Sequence, residues 1–217
     1  ALEAIEVAWE PLPAVTGAPA AHAPGAPSDW PGLCDDNLCF RFTQGDPAAV
    51  EAAFARAAHR VALDFRITRV SANPMEPRAA IAEWDAAEER WTLRSGTQQP
   101  HGLRETLAPV LRAQPSQIRI LAGDMGGGFG LRSNPTQEQA VLLWAARTLG
   151  RPVRWTGDRG EVMTGEAHAR DNDSTVELAL DAEGRCLAVR LTGYANMGAW
   201  LSPVAPLMGT ANFFKNV

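Results

Sequence analysis

Residues 123 to 132 read GDMGGGFGLR, with Phe129 set between Gly126-Gly127-Gly128 and Gly130. Ordering glycine costs more backbone entropy than ordering any other residue. A run of it therefore marks backbone that must come close to something or take a left-handed turn. QIRILA (117–122) reads as a buried strand, and helix signals follow the run. Strand, glycine loop and helix in that order expose backbone N–H groups to an anion or an oxo group. Two common loops of this kind fail. A phosphate P-loop requires GxxxxGK[ST], and nothing fits. A dinucleotide fingerprint requires GxGxxG running into its helix. Gly126 and Gly128 supply two of its glycines, but the third position is Leu131, and the run stops short of the helix cap. A tight turn without a ligand and a nucleotide loop of unusual form both stay open on these residues alone.

Other side chains offer less. Cys34 and Cys39 lie close in sequence, but no second pair of soft ligands follows, and Cys186 makes the count odd. Neither a zinc site nor a disulfide framework is expected. Buried or free thiols in a reducing, cytoplasmic setting are. His22, His59 and His168 have no partner pattern. Asp171-Asn172-Asp173 is read as a solvated strand start rather than a cation site. The net charge of −5 and the pI near 5.4 give no basic field for nucleic acid. No apolar run reaches the roughly 20 residues that span a bilayer, and no secretory leader pattern opens the chain.

The positioning elements follow from pattern. IEVAWEPLPAV (5–15) starts like a strand, 16–32 is an Ala/Pro/Gly linker, and LCFRFTQ (38–44) reads as a short strand. Asp46-Pro47 opens a helix to about Ala58. HRVALDFRITRV (59–70) alternates as a long strand. AAIAEWD (79–85) and RWTLRS (90–95) form a hairpin around AAEE. A helix is read over 101–113 with Pro109 inside it, so a kink or a late start is expected. Asn134-Pro135-Thr136-Gln137 predicts a capped helix ending at Gly150, apolar enough to be buried on more than one side. PVRWT (152–156) is a strand, and STVELALD with RCLAVRLTGY forms a second hairpin. Helices and hairpins mix without strict alternation, so the fold class is α+β, with mixed sheets and packed helices.

GGGFG followed by x-[Lys/Arg] resembles the molybdenum-cofactor loop of the xanthine dehydrogenase and aldehyde oxidase family, which includes the large subunits of aerobic carbon-monoxide dehydrogenases and related bacterial hydroxylases. SGTQQPH (95–101), ANPMEPRAAIAEWD (72–85), LLWAARTLGRPVRWTGDRGE (142–161) and YANMGAWLS (194–202) are similar to further family segments, in family order. The resemblance implies a molybdenum–molybdopterin cofactor, as such or as its cytosine dinucleotide. It also implies FAD and iron–sulfur clusters on partner domains or subunits.

By family pattern, Gln98 donates to an oxygen ligand of the metal, and Phe129 and Gly130 pass beside it with their N–H groups. Gly127 and Gly128 allow the approach. Phe129 can do this while its ring packs in a core. Arg132 takes the place of a family Lys or Arg and contacts cofactor or a carboxylate, or makes an ordinary surface salt bridge. His101 is read as structural. Met75-Glu76-Pro77-Arg78 is architectural, a buried Glu–Arg pair pinning loop to sheet.

The family's catalytic glutamate sits in a G-x-G-E-type stretch that is absent here, as are a copper-binding cysteine loop and CxxC patterns. No catalytic residue and no direct metal ligand is therefore assigned to this chain. Ser133 stands where purine-oxidising members carry glutamate, which argues against xanthine. The organisation expected is the tail of a preceding small domain (1–15), a linker (16–37) and the first part of a molybdopterin-binding domain (38–217). The function expected is one wall of the cofactor site in a hydroxylase large subunit, inactive alone. Such an enzyme oxidises an aldehyde, an N-heterocycle or a similar small molecule with water-derived oxygen. Its partners are the rest of that subunit and flavin and iron–sulfur subunits. The alternative is a non-catalytic interaction module that keeps the fold without cofactor.

Overall fold

A computed structural model describes residues 4–199. In chain order the helices are α1 (Ala18–Ala21), α2 (Pro47–Arg56), α3 (Pro100–Val110), α4 (Gln137–Leu149) and α5 (Arg159–Gly165). The strands are β1 (His59–Val70), β2 (Ala79–Asp85), β3 (Arg90–Ser95), β4 (Ile118–Leu121), β5 (Val153–Thr156), β6 (Ala169–Leu180) and β7 (Cys186–Ala195). The class is α+β, as expected. The chain divides into two compact units, one spanning Val70–Ala169 and the other made of the residues before and after it.

The Val70–Ala169 unit is built on a four-stranded sheet in the order β4-β3-β2-β5. The expected hairpin is present: β2 and β3 pair antiparallel with Ala82 opposite Leu93 and Trp84 opposite Trp91. The connection from β3 through α3 to β4 brings β4 back parallel to β3, which requires a crossover of this length. Alternation sends Ala80, Ala82, Trp91 and Leu93 to one face, where they pack with Leu103 and Leu107 of α3 and Leu142, Leu143 and Ala146 of α4. Leu93, Leu103, Leu107 and Leu143 are fully buried, each contributing about 1.5–3 kcal/mol by burial. Trp91 Nε1 donates to the Leu143 carbonyl at 2.8 Å, so the largest core side chain is also satisfied. Pro109 does not break α3, because it falls in the last turn.

Two expectations about α4 are corrected. Its cap is Thr136, in a reciprocal capping box with Gln139, and Asn134 lies outside the helix. Gln139 also donates to Ser95 Oγ at 3.1 Å, which ties α4 to β3. Second, α4 is buried on one face only. Val141, Trp144 and Leu149 stay exposed, because the sheet of this unit covers only the face of Leu142, Leu143 and Ala146. Gly150 ends the helix as expected, with φ +60°.

In the other unit, β1, β6 and β7 form a three-stranded sheet in that order. The β6–β7 hairpin is as expected. Asp46 caps α2 by accepting from the Ala49 N–H at 3.1 Å. Residues 5–15 and 38–44 are not strands: alternation alone makes no strand where no neighbouring ladder takes up the backbone groups, and Pro11 and Pro13 remove donors. The linker region holds one short turn of helix, α1. Asp171 is not solvated. It is buried, with Arg69 Nη2 at 3.1 Å and Asn196 Nδ2 at 2.9 Å. Cys34, Cys39 and Cys186 are free thiols, and no group of metal-ligating side chains occurs among the described residues.

Candidate functional site

The strand directions explain why distant motifs converge. β3 and β4 are parallel, so both end at the same edge of the sheet. β2 runs antiparallel to β3 and to β5, so β2 starts there and β5 ends there. Four segments consequently meet at one end: 73–78 before β2, 96–99 after β3, 122–135 after β4, and 157–166 after β5. They carry the MEPR stretch, Gln98, the glycine run and α5.

Each glycine of the run is accounted for by a neighbour. A Cβ on Gly126 would lie 2.5 Å from Glu76 Cβ. In its place, the Gly126 N–H donates to Glu76 Oε2 at 2.7 Å and the Glu76 N–H to the Gly126 carbonyl at 3.2 Å. At Gly127, with φ +108°, a Cβ would meet the Phe129 ring at 2.9 Å and Pro74 at 3.2 Å. At Gly128 it would lie 2.7 Å from Gln98 Oε1. Gly130 has open space around it but φ +83°, and opens a single 3-10 turn, Leu131–Ser133.

Arg132 anchors this loop. It is buried. Its guanidinium donates to the Glu76 carbonyl and pairs with the Glu76 carboxylate at 3.4 Å. Its own carbonyl accepts from the Gln98 N–H at 3.0 Å and the Thr97 hydroxyl at 3.1 Å. One residue thus holds three segments together. Of the contacts expected of Arg132, the carboxylate contact is present, and it is made by a buried guanidinium rather than as a surface salt bridge. The Glu76–Arg78 pair is corrected: Glu76 pairs with Arg132, and Arg78 pairs with Glu138 at 2.9 Å and donates to the Gly165 carbonyl at 3.3 Å. Arg159 donates to the carbonyls of Pro74 and Met75 at 2.7 and 2.8 Å, fixing the MEPR segment from the far side.

The anchored loop presents donors. The side-chain amide of Gln98 lies against Gly128, is exposed, and makes no hydrogen bond among the described residues. The N–H groups of Gly127, Gly128, Phe129 and Gly130 likewise meet no acceptor there. Phe129 is not a core aromatic. It is 75% exposed, with φ +51°, a left-handed conformation rare for a bulky residue. Strain of this kind is concentrated at functional sites. His101 is exposed on α3. A rim of free N–H donors beside an amide, over glycines that leave room, fits an acceptor such as an oxo group or anion.

The molybdopterin cofactor-binding domain pattern matches residues 33–216. The chain belongs to that family. It is 35% identical over 208 residues to the 6-hydroxypseudooxynicotine dehydrogenase complex subunit gamma of Paenarthrobacter nicotinovorans, covering 96% of this chain and 26% of the relative. It is 33% identical to the nicotine 6-hydroxylase large subunit of the same organism, over 93% of this chain and 24% of the relative. The structure matches reconstituted CO dehydrogenase from Oligotropha carboxidovorans with a TM-score of 0.83 and 30% identity, covering 88% of this chain and 25% of that one. The chain thus spans about a quarter of the length of these relatives, as the absent family segments led us to expect.

Proline and glycine patterns left part of this site out of view. Thr97 holds Arg132 and Arg159 holds the MEPR segment, and neither has a local signal beyond its residue type. Glu166, at the end of α5, is buried, and both its carboxylate oxygens lack a hydrogen-bond partner among the described residues. Burial pushes its carboxyl above the ordinary value, against the pull of Arg78, Arg132 and Arg159.

Proposed function

We propose that this chain is the part of a molybdenum hydroxylase large subunit that presents one wall of the cofactor site. The observation that carries this is the Gln98 side-chain amide held against Gly128, beside N–H groups of Phe129 and Gly130 that meet no acceptor among the described residues. In this reading Gln98, Phe129 and Gly130 donate to an oxygen ligand of the molybdenum. Gly127 and Gly128 leave the approach open, and Arg132 holds the wall in place at the cofactor. The cofactor, as molybdopterin or its cytosine dinucleotide, supplies the redox chemistry that adds water-derived oxygen to the substrate. The protein supplies orientation and preorganised donors, which cost no reorganisation during reaction.

The substrate class proposed is an N-heterocycle, an aldehyde or a similar small molecule. The names of the two Paenarthrobacter relatives favour the N-heterocycle. We place the rest of the subunit against the exposed α4 face of Val141, Trp144 and Leu149. Flavin and iron–sulfur subunits are the proposed electron partners. No helix among the described residues is long and apolar enough to cross a membrane.

Metal analysis of the full-length protein, made in cells that produce the cofactor, tests the reading. Stoichiometric molybdenum is the expected result. Its absence from well-folded protein supports a non-catalytic module instead.

A further inference from the structure

We propose that Glu166 is a positioning residue for the glycine loop, acting through enclosed water that joins its carboxylate to the Nε groups of Arg78 and Arg132. The proposal rests on the reading of that loop as the cofactor wall. Its starting point is a concentration of unmet hydrogen-bonding groups. Arg78 Nε, Arg132 Nε, Glu138 Oε2 and both Glu166 oxygens are buried without a partner among the described residues. Each such group costs about 1–3 kcal/mol if left dry. Buried polar groups are satisfied in the great majority of cases, by protein or by ordered water. A buried water needs two to four polar partners, and this cluster offers two donors and three acceptors.

Charge balance points the same way. A Cβ on Gly165, next to Glu166, would lie 3.1 Å from Arg78 Nη2, and the charges of Arg78, Arg132, Arg159 and His168 all act on the Glu166 carboxylate. Glu138 answers Arg78, and Glu76 answers Arg132. Among the described residues Arg159 donates to neutral acceptors, namely Asn73 Oδ1 and the carbonyls of Pro74 and Met75. Glu166 itself makes no side-chain hydrogen bond among the described residues. It also follows Gly165, whose carbonyl accepts from Arg78. Its reach is to the side chain that anchors the loop: Arg132 holds Glu76, and Glu76 holds Gly126. Water linking Glu166 to Arg132 Nε fixes the guanidinium plane on which those contacts depend.

Hydrogen exchange of the cofactor-free full-length subunit tests this, read on peptides covering 96–99 and 123–133. Glu166→Leu keeps the bulk and removes the acceptors. The amides of Gln98, Gly126 and Leu131 should then exchange about tenfold faster, the effect of losing a hydrogen bond to a charged group. Glu166→Gln retains an acceptor and should keep wild-type protection. Wild-type protection in the Leu variant, or equal loss in the Gln variant, overturns the proposal. Should the Leu variant not fold, a crystal structure of the wild-type subunit decides. Water within hydrogen-bond distance of both Glu166 and Arg132 Nε is required, and a dry cluster refutes it. Neither readout needs molybdenum, so failure here and failure of the functional reading are told apart.

Discussion

Gly126 and Gly128 look alike in sequence and should respond oppositely to the same methyl group. At Gly126 the added Cβ falls 2.5 Å from Glu76 Cβ and within 3.5 Å of the Glu76 backbone. Neither neighbour can swing aside. The two segments must separate, which strains the Gly126–Glu76 hydrogen bonds in both directions. Overpacking of this kind costs about 1–3 kcal/mol. At Gly128 the Cβ falls 2.6 Å from Cδ, 2.7 Å from Oε1 and 3.0 Å from Cγ of Gln98, all atoms of one exposed side chain. Gln98 can change rotamer at a cost of about 0.5–1.5 kcal/mol. Replacing Gly by Ala where the backbone permits returns about 0.4–1 kcal/mol through the unfolded chain. Gly128→Ala should therefore leave stability within about 1 kcal/mol of wild type while moving the Gln98 amide off the loop. Urea unfolding and molybdenum content of the full-length protein measure the two effects separately. Gly126→Ala should lower both, and Gly128→Ala should lower molybdenum content alone. A Gly128→Ala protein with wild-type molybdenum and turnover would show that the placement of Gln98 is not what the cofactor reads.

Arg132→Met should destabilise the loop by about 1–3 kcal/mol, because the Glu76 carbonyl loses its charged donor. The ion pair itself contributes less, since the Glu76 side chain is 42% exposed. A urea midpoint unchanged from wild type would show that water replaces the guanidinium. For Glu166 the sign follows from its raised folded-state pKa. The folded protein binds this proton more tightly than the unfolded chain, so stability falls as pH rises from the ordinary carboxylate range through the raised value. Glu166→Gln removes that fall. Its Tm should exceed wild type at neutral pH and converge with it in acid, and a constant difference across pH would assign the effect elsewhere. Gly150→Ala meets nothing within 4 Å but must adopt φ +60°. It should cost about 1 kcal/mol, read as a lower urea midpoint, whereas no change would show that the cap relaxes.

What could be read from sequence depended on how local its cause was. Asp46-Pro47, the 59–70 alternation, the 79–95 hairpin and Gly150 each carry their instruction within a few residues, and each forms where expected. The cap of α4 was ambiguous for a definable reason. Asn134 and Thr136 both have Gln three residues later, and only the 3-10 turn ending at Ser133 decides in favour of Thr136. Residues 5–15 and 38–44 show the converse failure, since a strand pattern without a neighbouring ladder forms nothing. The glycine run lies between these cases. Its residues announce close approach but cannot say to what. The answer lies in partners 30 to 50 residues away: Glu76 for Gly126, Gln98 for Gly128. The fact that brings them together is the parallel pairing of β3 and β4, which places the exits of both strands side by side. Had β4 paired antiparallel, Gln98 and Gly128 would lie at opposite ends of the sheet, and the same motifs would build no site. The order of the motifs along the chain therefore carries function only through that one crossover. A change that leaves every motif intact but disturbs the packing of α3, such as Leu107→Asp in its buried face, should abolish cofactor binding as surely as a change to the loop itself.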